Sequence, residues 1–211
     1  MGADRITQGQ SPSDPYDSPG AIVVDAVSGL LQTVTNNRAL VAAQQAIAAV
    51  GAQTAVTAIT AAKNLFSTTL PTGLLNEVGR TVAVDGWGIY SSAGGTTPTI
   101  SIALVLAGVT LCIITSSPIN TAANTNLPFQ VSFQFTVITA GSAGTIECHG
   151  NLIINLSANS QAAAPTQFAD TNTGVSGAVN LTTADTLTVT IAASSAVSSA
   201  QLRLGSVSIL A

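Results

Sequence analysis

The chain has 211 residues, with 5 Lys+Arg against 9 Asp+Glu, a formal net charge of −4, 7% charged residues and 46% apolar ones. That excludes a disordered chain, which needs low hydrophobicity and high charge. It also excludes a nucleic-acid binder, because Arg5, Arg38, Lys63, Arg80 and Arg203 are too few and too scattered to form a basic face.

Residues 1–20 read as an extended arm. Ser11-Pro12-Ser13-Asp14-Pro15-Tyr16-Asp17-Ser18-Pro19-Gly20 carries three prolines and a glycine, and proline removes donors and fixes φ. Ile6, Tyr16 and Pro19 are the arm's candidate contacts with a partner. The opening Met1-Gly2-Ala3-Asp4-Arg5 lacks the basic-then-apolar layout of a signal peptide.

Residues 21–64 read as a mostly helical docking segment, rich in the good helix formers Ala, Leu and Gln. Thr35 or Asn36 caps a helix over 37–50 and Gly51 stops it. Leu40, Ala43, Ile47 and Val50 form its candidate oligomer face, too small in apolar area to stand alone. The part from Ala21 to Val34 suits a strand as well, given Val23, Val24, Val27 and Val34.

From about residue 65 the period becomes two, with Val, Ile, Thr and Phe replacing Ala and Gln. Strands are predicted at 65–70, 80–91, 98–106, 109–116, 129–138, 145–156, 185–193 and 202–210. Ala107-Gly108 signals a tight hairpin. Within 145–156, Ile146, Cys148, Gly150, Leu152 and Ile154 share one face, with Glu147 and His149 on the other. Eight short antiparallel strands, each with one apolar face, predict a two-sheet sandwich over 65–211. The longer connections at 117–128 and 157–184 favour a jelly roll over an immunoglobulin-like arrangement.

No charged residue occurs between Asp85 and Glu147, yet Gly94, Gly95, Pro98, Gly108, Pro118 and Pro128 break this stretch. It therefore reads as strand and turn, not as a membrane helix of about 20 apolar residues.

Chemistry-bearing residues are sparse. His149 is the single histidine, and its strand neighbour Cys148 faces away from it, so no Cys–His nucleophile is expected. Cys112 and Cys148 lack metal-ligand spacing and read as buried small hydrophobes, with an inter-sheet disulfide as the alternative. Trp87, within Gly86-Trp87-Gly88, reads as a core aromatic rather than a sugar platform. Glu77 and Arg80 read as a local ion pair.

Leu74-Leu75-Asn76-Glu77-Val78-Gly79-Arg80-Thr81-Val82-Ala83-Val84-Asp85-Gly86-Trp87-Gly88-Ile89-Tyr90-Ser91 carries a resemblance, together with Pro98–Leu104, Leu127-Pro128-Phe129 and Gly144–Gly150. These stretches resemble the jelly-roll structural proteins of tailed-bacteriophage virions: capsid decoration (cement) proteins, head fibres and tail-fibre tips. The resemblance covers about 65–211 and implies a homotrimer with no cofactor and no catalytic residues.

The expectation is thus a mainly β chain: an eight-stranded antiparallel jelly roll preceded by an arm and an Ala-rich helical segment. Its expected role is a non-enzymatic cement protein on the virion surface, made in the bacterial cytoplasm. It would bind the major capsid protein, with no metal, nucleic acid or membrane partner. The alternative is a fibre-type receptor-binding protein whose knob binds a host glycan.

Overall fold

The computed structural model describes residues 22–24, 31–34, 40–42, 45–156, 165–170, 175–194 and 197–210. Three short strands, β1 (Ile22–Val24), β2 (Leu31–Val34) and β3 (Leu40–Ala42), form a small antiparallel sheet. The remaining strands are β4 (Gln45–Val50), β5 (Val56–Thr57), β6 (Lys63–Leu70), β7 (Thr81–Ser92), β8 (Ile100–Leu106), β9 (Val109–Thr115), β10 (Asn124–Thr139), β11 (Thr145–Ile154), β12 (Thr166–Ala169), β13 (Asp185–Ala193) and β14 (Val197–Leu210). The described chain is mainly β, all its strand pairs are antiparallel, and it contains no helix.

The larger sheet runs β12-β11-β10-β7-β14-β4, with β5 also paired to β14; the smaller runs β6-β13-β8-β9. Their inward faces share one apolar core. Phe129, Val131, Phe133 and Phe135 of β10 and Val82, Val84 and Tyr90 of β7 enter it from the larger sheet. Ile102 and Leu104 of β8, Leu111 and Ile114 of β9, and Leu187, Val189 and Ile191 of β13 enter it from the smaller. Alternation puts these side chains on one side of each strand, and burial of that side drives the pairing register. Tyr90 is fully buried, and its hydroxyl donates to the carbonyl of Asn155, so the ring brings no orphaned polar group into the core. Burial pushes the Tyr90 phenol well above its ordinary range.

The β8–β9 turn is built on Ala107 (φ 49°) and Gly108 (φ 82°), both left-handed, which is the two-residue turn whose twist matches a hairpin. Arg80 donates to the Glu77 carboxylate three residues away.

Two sequence expectations need correction. The helix over 37–50 is not formed: Leu40 lies in β3, while Ile47 and Val50 lie in β4. Ala43 and the arm residues Ile6, Tyr16 and Pro19 fall outside the described residues. The strand state follows from pairing. β4 lies along β14, with Ala48 opposite Val207 and Val50 opposite Gly205, and Ile47, Ala48 and Val50 pack half-buried against the core. Backbone pairing plus apolar burial outweighs the few tenths of a kcal/mol per residue by which alanine prefers a helix. The second correction is the strand count: where eight strands are expected over 65–211, the described residues form nine, β6 to β14, the addition being β12.

Candidate functional site

The sequence of β7 dictates the feature that stands out. Val82, Val84, Gly86, Gly88 and Tyr90 alternate inward, so Ala83, Asp85, Trp87 and Ile89 must face out. The two inward glycines make room for their neighbours. A Cβ on Gly88 would lie 2.5 Å from Phe129 Cζ and 2.4 Å from the carbonyl oxygen of Gln201, and one on Gly86 would lie 2.9 Å from Leu202 Cδ1. Trp87 therefore stands outward between a tightly packed Gly86 and a Gly88 that has no room for a side chain, with 44% of its own surface exposed. The expectation of a core tryptophan is overturned. The alternation of β7 was the signal that places it outside.

Register across the larger sheet sets its outward neighbours in rows. Gln130, Trp87 and Leu204 form one row; Asn151, Ser132, Asp85 and Ser206 form the next; His149, Gln134, Ala83 and Ser208 form a third. Leu204 is 62% exposed beside Trp87, so two large apolar groups lie side by side in a field of hydroxyls and amides. Trp87, Leu204, Gln130 and Asp85 line a shallow depression of about 230 Å³. A second depression, of about 320 Å³, runs from Asp85 and Ser132 to His149 and Asn151. Ser132 donates its hydroxyl to Asp85, which holds that carboxylate in place on the face. An aromatic plate with convergent acceptors and amides can take up a flat apolar-and-hydroxyl surface, whether protein or sugar.

At the far edge of this face, Glu147 and His149 share the outward side of β11, as the alternation predicts, with His149 Nε2 3.4 Å from Glu147 Oε1. The residue that sequence reasoning missed is Asp170. It follows β12, which pairs along β11, and its amide donates to the carbonyl of Gly150. One oxygen of Asp170, Oδ2, accepts from the Gly150 amide at 3.1 Å and from the Cys112 thiol at 3.2 Å, and lies 3.6 Å from His149 Nδ1. Nothing in the spacing of 112, 149 and 170 signals this meeting, because it is made by β12 folding back on the edge of β11. Among the described residues, no group of three or more His, Cys, Asp or Glu side chains is placed to hold a metal ion. Among the same residues no helix is long and apolar enough to cross a membrane.

No family model matches the chain, and no curated protein matches it. Several solved structures share a weak likeness. A protein of unknown function from Shewanella oneidensis is 11% identical with a TM-score of 0.29, over 91% of this chain and 74% of its own. Sheep galectin-11, solved with glycerol, is 11% identical with a TM-score of 0.22, over 65% of this chain and 96% of its own. The CBM2 module of the evolved Dit of Lactobacillus casei phage J-1 is 6% identical with a TM-score of 0.20, over 65% of this chain and 68% of its own. At these TM-scores the likenesses carry no argument about fold family or function.

Proposed function

We propose that the chain is a non-enzymatic structural protein of a tailed-bacteriophage particle. In this reading it is a capsid cement or decoration protein, built on a jelly roll, that binds the major capsid protein on the shell surface as a homotrimer. The jelly-roll reading is supported by the nesting of the pairs: β4 with β14, β6 with β13, β7 with β10 and β8 with β9. A ribbon of four such pairs, rolled so that β14 also meets β7 and β13 also meets β8, gives that topology, with β11 and β12 extending one edge. The sequence resemblance over 65–211 points the same way.

The observation that carries the functional reading is the outer face of the larger sheet. Its outward rows are mostly hydroxyl, amide and apolar side chains, with Asp85, Glu147 and His149 as ionisable members, and Trp87 and Leu204 lie exposed side by side on β7 and β14. Hydroxyl side chains lose little entropy on contact, and hydroxyls and amides suffer little charge repulsion, so such a face suits protein–protein burial. A protein that binds only the assembled shell stabilises that shell by mass action.

One observation favours a second reading, a fibre-type receptor-binding protein. Trp87, Asp85 and Gln130 meet around one depression, as a glycan subsite requires. Quantitative mass spectrometry of purified particles separates the two. A cement protein is present in numbers comparable to the capsid subunit, a fibre protein in far fewer. Absence from the particle overturns both. Light scattering tests the trimer, since a monomer of 20.9 kDa at micromolar concentration contradicts it.

A further inference from the structure

Cys112 and Cys148 are 36 residues apart in sequence and lie in different sheets, on β9 and β11. Both are buried, each 1% exposed, and both are free thiols. The fold brings them together. β9 and β11 approach within 8 Å between Cα atoms, closer than the usual ~10 Å between stacked sheets. The reason is Gly150. It sits two residues after Cys148 on the inward face, where a Cβ would lie 2.8 Å from Ile114 Cδ1 and 2.6 Å from Phe133 Cδ1. Ile114 in turn sits two residues after Cys112 on the inward face of β9. The missing side chain lets Ile114 settle onto β11, and the next inward pair along is Cys112 with Cys148.

We infer that Cys112 and Cys148 are a built site for an inter-sheet disulfide, formed by peroxide-class oxidants once the protein leaves a reducing compartment. This goes beyond the proposed particle role and does not depend on it. The supporting geometry is threefold. Cys112 and Cys148 each lie two residues before the positions, Ile114 and Gly150, at which β9 and β11 meet. The Cys112 thiol also donates to Asp170 Oδ2 at 3.2 Å. The Gly150 amide holds that same oxygen in place at 3.1 Å. The neighbouring Cys148 first, then burial, pushes Cys112 far above the ordinary thiol range, with Asp170 adding to both. The Cys112 thiol therefore stays protonated and slow to react while reductant is present.

In the oxidation, one sulfur, as thiolate, attacks the O–O bond of hydrogen peroxide. It becomes a sulfenic acid, and hydroxide leaves and takes up the thiol's proton. The second thiol attacks that sulfur; the S–S bond forms, the S–O bond breaks, and water departs with the second proton. Two thiol hydrogens and two electrons pass to one peroxide, giving one disulfide and two waters.

The test treats the full chain with hydrogen peroxide, then alkylates it in denaturant and cleaves after glutamate. Glu147 is the single glutamate between the two cysteines, so fragments 78–147 and 148–211 separate them. The expected result is a single-chain protein whose two fragments stay joined until reduced. Its melting midpoint should lie roughly 10 °C above that of the reduced protein, as expected for closing a loop of this length in a domain of this size. That gap should vanish in Cys112→Ala and Cys148→Ala. The reaction is repeated just below the urea midpoint, where local opening admits peroxide to a buried pair. Overturning results are separately alkylated fragments under both conditions, sulfinic acid without joined fragments, or linkage only between chains.

Discussion

The Phe129 ring occupies the space that a side chain on Gly88 would need, with Cζ 2.5 Å from the Cβ position. This one contact couples two strands of the larger sheet, since Phe129 and Gly88 are register partners in β10 and β7. It also fixes the outward direction of Trp87. Gly88→Ala is expected to cost about 3 kcal/mol, the upper range for overpacking a dense core, and to lower the urea midpoint without altering the denaturant slope. Phe129→Leu in the same chain should restore part of that loss and no more. The Gln201 carbonyl oxygen, 2.4 Å from the same Cβ position, is backbone and cannot turn aside.

Trp87→Ala should separate surface function from stability. The indole is exposed and leaves no cavity, so the change is expected to move stability by under about 1 kcal/mol. Under the proposed capsid role, attachment to empty shells should weaken by roughly tenfold or more, the loss typical of a central aromatic anchor. The single tryptophan offers a direct readout. Its fluorescence should be quenched freely by iodide in the isolated protein and be shielded on the particle. Unchanged attachment would move docking to another surface.

Much of the two-sheet core was readable because its strands obey period two. The strand at 185–193 lies where the sequence placed it, and those at 65–70, 80–91 and 109–116 differ from the observed strands by at most two residues at an end. β4 was not readable as a strand, for a local reason. Val207 faces Ala48 while Ser208 faces Ala46, so Ile47 is an extra residue in a bulge. That insertion shifts the alternation and leaves Ile47 and Val50 both half-buried at a spacing of three, which imitates a helix face. The outward place of Trp87 was present in the alternation of β7 but masked by the usual burial of strand tryptophans. Asp170 meeting Cys112 was not readable, because chain reversal at the sheet edge leaves no periodic trace.

Asp185, 4% exposed at the start of β13, should give a pH signature. Burial raises its pKa above the ordinary value, and a hydrogen bond from Thr183 offsets this only in part. With the folded pKa above the unfolded one, the native state holds the proton more tightly. Stability is therefore lost as pH rises from about 4 through the folded pKa. Asp185→Asn, which cannot ionise, should gain on the wild type across that window and then hold a constant advantage. Urea titrations at intervals from pH 4 to 8 would measure it. A gap that stays flat or narrows as pH rises would contradict the assignment.

Asn124 is a buried amide that ties β10 to its surroundings. Its Nδ2 donates to Ser92 Oγ at 2.8 Å, to Asn120 Oδ1 at 3.1 Å and to the Ala122 carbonyl at 3.0 Å. Asn124→Ala removes a donor that is 1% exposed and takes a partner from the Ser92 hydroxyl, which is 3% exposed. The expected cost is about 1–3 kcal/mol. Asn124→Asp should be at least as damaging, because it replaces a donor with a further acceptor. Equal melting midpoints for the wild type and both variants would show that water satisfies the group instead.

The last prediction concerns where the two-sheet core begins. A chain starting at residue 45 keeps β4, so β14 remains covered on both sides, and its melting midpoint should match that of the full chain. A chain starting at residue 58 loses β4 and β5, the partners of β14 at 205–209 and 199–200. Two consequences follow from that single deletion. Ile47, Ala48 and Val50 no longer cover the core, which at about 1 kcal/mol for each half-buried side chain sums to about 3 kcal/mol, or roughly 6–12 °C in a protein of this size. The amides and carbonyls of β14 that faced β4 also become an open edge, a template for pairing with another chain. The shorter form should therefore melt earlier and form larger species as concentration rises, by light scattering. If both truncations melt together and stay equally dispersed, β4 adds nothing to the fold, and the segment before residue 58 is free to serve wholly in docking.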